Sequence, residues 1–504
     1  MHLDWLSLLW IISYATVILG LSGYGIHRYF MVYLYLKHAR NKPAPDGKFA
    51  ELPVVTVQLP IFNELHVVTR LVEAVAALDY PRDRLQIQIL DDSTDATRAI
   101  SEAETARLQE LGFDVEHRHR TDRSGYKAGA LEAGMNSAKG EFILILDADF
   151  VPTPELLRRM IDYFTDPKVG LIQARWGHLN RRYSLLTRIQ AMFLDGHLFV
   201  EQTARSRSGR FFNFNGTAGI WRKSCIADAG GWSHDTLTED LDLSYRAQMN
   251  GWKFIFLNDL EAPAELPVDM DGFKSQQHRW TKGSIQTCKK LLGPIWRSKL
   301  PLYIKLEATA HLTSNFAYLL LFGLCFLMYP GADSPLNLGP NRLLLIDLPV
   351  FFVATLSIGA FYACAQHGAR PKTWWKEMIY LPCLLALGIG MSVNNAKAVL
   401  EAVFNRQSAF VRTPKYGIAR QKDKGDLKKS SYRALRSAGL VVEILLAFYF
   451  VTLIAVAWSK GFWGSIPFLS LFAAGFSYVA IGSLPRLFQA RSPHPAPEPL
   501  TNAI

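Results

Sequence analysis

Cysteine is scarce in this chain: five in 504 residues, Cys225, Cys288, Cys325, Cys364 and Cys383. The number is odd, the spacing is wide, and three of them fall in or beside apolar runs. Neither a disulfide framework nor a zinc site is indicated. A second absence concerns the apolar run at residues 6–36. No small-residue cleavage site of the usual kind comes after it, and it exceeds both a signal peptide's apolar core and the roughly 20 residues that span a bilayer. It therefore reads as a membrane helix, with Lys37, His38, Arg40 and Lys42 placing the next part of the chain on the cytoplasmic side. Acidic residues are also in deficit, 44 against 55 Lys and Arg, for a formal charge of +11. The excess is clustered: residues 406–436 hold ten Lys or Arg against two Asp. Beside hydrophobic spans, that run fits a lipid-facing cytoplasmic segment better than a nucleic-acid groove, so no nucleic-acid partner is expected.

What is present is apolar: 49% of the chain is hydrophobic, concentrated towards its two ends, which predicts an integral membrane protein. The middle has a different rhythm. Residues 54–59 and 85–90 read as strands, 67–78 and 96–111 as helices, and 142–146 as a short buried strand. Strand, helix, strand, helix, strand is the pattern of a parallel α/β sheet with right-handed crossovers. Ligands of such sheets bind beyond the carboxyl ends of the strands. Those ends carry Asn63-Glu64, the run Asp91-Asp-Ser-Thr-Asp95, and Asp147-Ala-Asp149. Two carboxylates one residue apart suit a hard divalent cation, Mg²⁺ or Mn²⁺, that leaves positions for phosphate. Lys127, in the Gly-containing stretch 123–130, suits a phosphate as a point charge.

Three more motifs occur in order: Phe212-x-Phe-Asn-Gly-Thr217, Thr238-Glu-Asp240, and Gln276-Gln-His-Arg-Trp280. Together these resemble the processive family 2 glycosyltransferases of the cellulose synthase superfamily. The text around Gln173-Ala-Arg-Trp176 and Gly251-Trp-Lys253 is most similar to the plant cellulose-synthase-like A and C proteins, which make mannan or glucan backbones. The resemblance implies a GT-A-like (Rossmann-type) α/β domain that binds a nucleotide-sugar, UDP-glucose or GDP-mannose, and extends a β-linked glycan with inversion, in a multi-pass membrane protein of the inner, plasma or Golgi membrane. It implies Asp240 as the base with Glu239 as its positioning neighbour. Donor contacts would come from Asn63, Glu64, Asp91, Asp92, Lys127, Asp147 and Arg279, and the metal would sit on Asp147 and Asp149. Acceptor contacts would come from Phe214, Asn215, Gly216, Thr217, Gln276 and Trp280. Phe410-Val-Arg-Thr-Pro-Lys415 resembles a gating loop, with Phe410, Thr413 and Lys415 in the matching positions and Arg412 standing where that loop has valine. The alternative is a lipid glycosyltransferase adding one sugar to ceramide or diacylglycerol.

The expected division is an amino-terminal membrane helix at 1–40, a cytoplasmic catalytic domain at 50–290, an interfacial helix at 291–306, a membrane domain at 307–485 containing the basic segment 405–436, and a disordered tail at 486–504. Apolar spans are expected at about 308–329, 343–365, 377–395, 437–458 and 462–484. Parity imposes a condition on them. If 377–395 crossed the membrane, the ten basic residues would lie outside, so residues 377–404 are expected to lie along or dip into the bilayer and return.

Overall fold

The structure, a computed structural model, describes residues 5–328, 350–406, 412–418 and 439–484. Phe410, most of the basic segment, the start of the expected 343–365 span and the tail lie outside them.

A seven-stranded sheet occupies the middle of the chain, in the order β3-β2-β1-β4-β6-β5-β7. Its strands are β1 (Val55–Ile61), β2 (Leu85–Asp91), β3 (Asp114–His119), β4 (Phe142–Ile145), β5 (Val169–His178), β6 (Gly219–Arg222) and β7 (Lys253–Ala264). The three strands expected first, β1, β2 and β4, are central and parallel, with Ile61 opposite Asp91 and Gln58 opposite Ile145. Their carboxyl ends therefore share one edge. β3 was not expected. Its sequence, Asp-Val-Glu-His-Arg-His, is polar at all but one position, because it closes the sheet and buries only Val115. β6 runs antiparallel to β4, with Gly219 opposite Ile145, which returns residues 214–218 to the same carboxyl edge.

Branched and aromatic side chains fill the sheet's faces: Val55, Val57, Ile87, Ile89, Phe142 and Leu144 are fully buried. Polar residues of β1 and β2 are buried as well, and each finds a partner. Thr56 donates to Gln86 at 2.7 Å, and Gln58 to Gln88 at 3.0 Å. Gln88 in turn donates to the Gly134 carbonyl at 3.1 Å. An unpaired buried amide costs about 1–3 kcal/mol, so this ladder is what lets glutamines line a sheet core. Gly134 has to be glycine there, since a Cβ would sit 2.5 Å from Gln58 Nε2.

Outside the sheet, Trp5–His38, Leu440–Ser459 and Trp463–Ser483 are long and apolar enough to cross a membrane. Two bent pairs, Leu302–Thr313 with Phe316–Leu327 and Trp374–Gly390 with Ser392–Val403, make five candidates among the described residues if each pair is one span. The helix Met270–Arg297 runs unbroken for 28 residues. The stretch 291–306, expected as one interfacial helix, is thus split between its last turns and the first turn of Leu302–Thr313; Pro301 caps the second helix and ends any continuation of the first.

The second bent pair behaves in a particular way. At its start, Glu377 lies 3.5 Å from Arg181 and 3.8 Å from Arg188 of the sheet-bearing part. At its end, Lys289 of Met270–Arg297 donates to the carbonyls of Ala402 and Val403, both at 2.9 Å. Between them the chain bends by 41°. Each end of the pair is thus tied to residues outside the candidate spans.

Candidate active site

At the carboxyl edge of the sheet, one cavity is walled by Glu64 and Asp92 from the ends of β1 and β2, Asp147 and Asp149 after β4, and Glu239 with Asp240. Lys127, Arg279 and Trp280 complete it with residues 412–416. Its construction is local at each point. Gly125, at φ +71°, turns the chain into the helix Tyr126–Met135, so Lys127 stands in the first turn of that helix and not in an open loop. Its Nζ donates to Asp147 Oδ1 at 2.6 Å and to the Gly216 carbonyl at 2.8 Å. Burial would lower the Lys127 pKa, but Asp147, Glu239 and Asp240 more than offset it, so the ammonium is held. Asp147 is fixed from behind, its backbone N–H donating to Thr217 Oγ1 at 2.8 Å.

Thr238 precedes the helix Glu239–Met249, which places Asp240 in the first turn, where Leu241 N–H donates to Oδ1 at 2.8 Å. Burial, and then the adjacent Glu239, push the Asp240 carboxyl up to about 7, and burial also raises Glu239. A carboxylate with its pKa near neutrality is matched to taking a proton near pH 7. Residue 216 abuts it: a Cβ on Gly216, at φ +84°, would lie 3.0 Å from Asp240 Oδ2. Arg279 and Trp280 come from one turn of Met270–Arg297. Trp280 stands 6.4 Å from Trp176 at 52°, so two indoles flank the cavity.

Residues 412–418 lie across the opening. Arg412 grips Glu64 through Nε at 2.9 Å and Nη2 at 2.5 Å, and Lys415 Nζ meets Asp149 Oδ1 at 2.5 Å. Thr413 accepts from Arg279 at 3.0 Å, and Tyr416 donates to Asp269 at 3.0 Å. Asp147 and Asp149 each face a lysine ammonium, so the pair attracts positive charge and offers only oxygen donors. That fits a hard divalent cation. Among the described residues no group of three or more His, Cys, Asp or Glu forms a metal cage, so a cation on this pair would complete its shell with water or with oxygens of a bound molecule.

Known proteins are similar to this chain in sequence and in fold. The profile "Glycosyltransferase like family 2" matches residues 53–283. Those residues belong to glycosyltransferase family 2. Within that family the chain is 45% identical over 255 residues to glucomannan 4-beta-mannosyltransferase 2 of Arabidopsis thaliana, covering 50% of this chain and 48% of the relative. It is 42% identical over 269 residues to glucomannan 4-beta-mannosyltransferase 1 of Oryza sativa subsp. japonica, 52% of each chain. The chain spans about half the length of these relatives. A mannosyltransferase from Pyrobaculum calidifontis, solved in complex with GDP-Man and Mn2+, shares the fold: TM-score 0.50 at 20% identity, over 77% of this chain and 100% of that one. The sheet-bearing part is a GT-A-like α/β domain with a seven-stranded sheet.

Family motifs do not all face the cavity. Glu64, Asp92, Lys127, Asp147, Asp149, Asn215, Gly216, Glu239, Asp240, Gln276, Arg279, Trp280, Thr413 and Lys415 line it. Asp91 does not. It is fully buried, accepting from the Ser93 N–H at 2.8 Å and facing His117 Nε2 at 3.0 Å; burial would raise its pKa, but those hydrogen bonds hold it below the usual range. Asn63 turns to the neighbouring loop, accepting from Thr94 N–H at 2.9 Å. Phe214 packs in the core edge-on to Trp221, and Thr217 is wholly buried behind Asp147. These four residues hold the walls. Sequence reasoning also missed several partners. Arg120 pairs with Asp92 through Nε at 2.8 Å and Nη2 at 2.6 Å, and Arg123 lies 3.3 Å over the Phe62 ring. His178 lines the cavity too, and burial lowers its pKa to about 4, leaving a neutral ring.

Proposed function

We propose that this protein is a membrane-integrated, inverting glycosyltransferase that transfers mannose or glucose from a nucleotide-sugar to a growing β-linked glycan, with GDP-mannose the favoured donor. The observation that carries this reading is the convergence in one cavity of a near-neutral carboxylate, Asp240, with Asp147, Asp149, Lys127 and Arg279. The identity to glucomannan mannosyltransferases supports the sugar. The acceptor hydroxyl loses its proton to Asp240 as its oxygen forms the bond to the anomeric carbon. The bond to the nucleoside diphosphate breaks, and Lys127 and Arg279 meet the charge that develops on it. Asp147 and Asp149 would hold Mg²⁺ or Mn²⁺, which when bound supplies Lewis-acid stabilisation of the leaving diphosphate. Trp280 and Trp176 offer apolar faces to the sugar. One base and no evident second nucleophile predict β configuration in the product; an α linkage by NMR overturns it.

A donor screen on purified protein tests the reading. GDP-mannose is expected to be consumed in a metal-dependent manner and a glycan of high mass to accumulate. An organic-extractable product would instead establish the lipid transferase.

The topology belongs to the same proposal. The ends of the segment 374–403 contact Arg181 and Arg188 on one side and Lys289 on the other, and a bend of only 41° suits a segment that lies along the membrane surface without crossing it. The amino terminus is then outside, and the last two spans form a hairpin. Cysteines introduced at Gln407 and Ser334 in intact cells test it: an impermeant reagent is expected to label Ser334→Cys and miss Gln407→Cys, and labelling at position 407 refutes the arrangement.

A further inference from the structure

Three stretches far apart in the chain are brought together away from the cavity: the end of the helix Trp5–His38, residues 201–210, and residues 295–310, where Met270–Arg297 gives way to Leu302–Thr313. Residues 27–43 hold four Lys or Arg, and the other two stretches hold three each. Against these stand two acids, Glu201 and Glu307. Both are spent inside the protein. Buried Arg205 donates to Glu307 at 2.9 Å and to Glu201 at 3.2 Å, and His27 also meets Glu307 at 3.0 Å. Lys42 is matched by Asp259 at 2.6 Å. Lys37, Arg40, Arg297 and Lys299 stand exposed, so the outward charge of this junction is strongly positive.

Arg210 is where the three stretches touch. Its guanidinium lies 5.3 Å from the centre of the Phe30 ring and 5.2 Å from that of Tyr303. Phe30 stacks in turn on Tyr33 at 6.4 Å, and Lys37 stands 5.5 Å over Tyr33. The neighbouring Arg207 is tied to the Ala39 carbonyl, and Lys305 donates to the Ser298 carbonyl at 2.7 Å, so the backbone on both flanks is fixed. Arg210 itself remains partly exposed; its Nη1 reaches the Ser208 carbonyl at 3.4 Å, and no carboxylate pairs with it among the described residues. A planar fork held against rings is set to meet a phosphate with two hydrogen bonds. Around it the surface is also apolar: Leu36, Leu302, Tyr303 and Leu306 are exposed. Exposed aromatic and aliphatic side chains interleaved with cations are the composition of a bilayer–water boundary.

We propose that this junction binds an anionic phospholipid of the leaflet next to the sheet-bearing part, with Arg210, between Phe30 and Tyr303, donating to the lipid phosphate. This rests on reading Trp5–His38 as a membrane span. Charge and apolar surface together select the occupant. A free phosphate would leave the exposed leucines and rings in water, and a zwitterionic headgroup would bring its own cation towards a cluster of cations. An anionic phosphodiester on acyl chains satisfies both features.

The test uses the full chain in a neutral detergent, with thermal unfolding followed as phosphatidylglycerol, phosphatidylcholine or inorganic phosphate is added. Phosphatidylglycerol is expected to raise the melting temperature saturably, because a ligand bound only by the folded state stabilises it; the other two should leave it unchanged. Arg210→Gln is expected to raise the half-saturating lipid concentration about tenfold or more, the loss of a charge-assisted hydrogen bond. Because Arg210 also packs between helices, the exposed Lys299→Gln is the second variant, with an expected rise of about fivefold. Lys139→Gln removes the same charge elsewhere, where Lys139 pairs with Asp114 at 2.6 Å on the edge strand β3, and should respond as the wild type does. Equal responses to phosphatidylcholine and phosphatidylglycerol, a response to phosphate alone, unchanged half-saturation in Arg210→Gln and Lys299→Gln, or an equal loss in Lys139→Gln overturns the site. A chain that stays soluble without detergent and fails to float with vesicles of either lipid overturns the membrane reading instead, so the two failures are distinguishable.

Discussion

Asp240→Asn is expected to lower kcat by about 10²–10⁴-fold, the range for removal of a general base, with nucleotide affinity left near the wild-type value. The amide keeps the size of the carboxylate and can still accept from Leu241 N–H, so the start of the helix Glu239–Met249 should persist. What is lost is the capacity to take the acceptor's proton. Binding of the nucleoside diphosphate by calorimetry, beside single-turnover transfer, checks both halves; a variant keeping more than about a tenth of the wild-type rate refutes the assignment. The same group predicts a pH dependence. Its pKa is raised to about 7 by burial and by Glu239, and the base works only when ionised. The free-enzyme parameter kcat/KM should therefore rise as pH increases through about 7 and fall on the acid side. Glu239→Gln removes the second contributor to that shift, so the acidic limb should move to lower pH; a limb that stays put contradicts the coupling.

Asp149→Ala is expected to remove Mn²⁺-dependent binding of GDP, weakening it about a hundredfold or more, as loss of one of the two proposed carboxylate ligands implies. In the structure Asp149 meets Lys415, which in turn lies 3.8 Å from Glu64. The aspartate therefore also anchors residues 412–418, and its removal should leave that segment less protected in hydrogen exchange. Trp280→Ala is expected to behave oppositely, impairing acceptor use while leaving GDP and Mn²⁺ binding within about threefold, since an indole facing Trp176 loses apolar contact and no charge. Equal losses of nucleotide binding in the two variants would contradict the division of the cavity into a diphosphate end and a sugar end.

Much of the sheet-bearing part is written locally. Residues 54–59, 85–90 and 142–146 are readable as strands because short apolar runs, ended by polar residues, have few other ways to be buried. The observed strands Val55–Ile61, Leu85–Asp91 and Phe142–Ile145 match them closely. Asp147-Ala-Asp149, Thr238-Glu-Asp240 and the motif at 276–280 are legible for the same reason: each is compact, at the end of a strand or in one or two turns of a helix. The apolar helices at Trp5–His38, Leu440–Ser459 and Trp463–Ser483 come from length and hydropathy alone. The edge strand Asp114–His119 escaped because an element buried at only one position carries no hydrophobic period.

Which motif residues face the cavity is a different kind of question, and the tertiary structure decides it. Asp91 and Asp92 are neighbours with the same chemistry, yet successive strand residues point to opposite sides, so one is sealed against His117 and the other stands in the wall with Arg120. Within the run 214–217 the outer two residues are buried and the inner two line the site. The meeting of Arg412 with Glu64 joins positions 348 apart in the chain. Arg210, Phe30 and Tyr303 come from three separate stretches and meet only in space. Strands, helices and motif identity depend on neighbours along the chain, and the sequence determined them; facing, pairing and the wall of the cavity depend on neighbours in space, which exist only once the sheet has closed and the helices have packed.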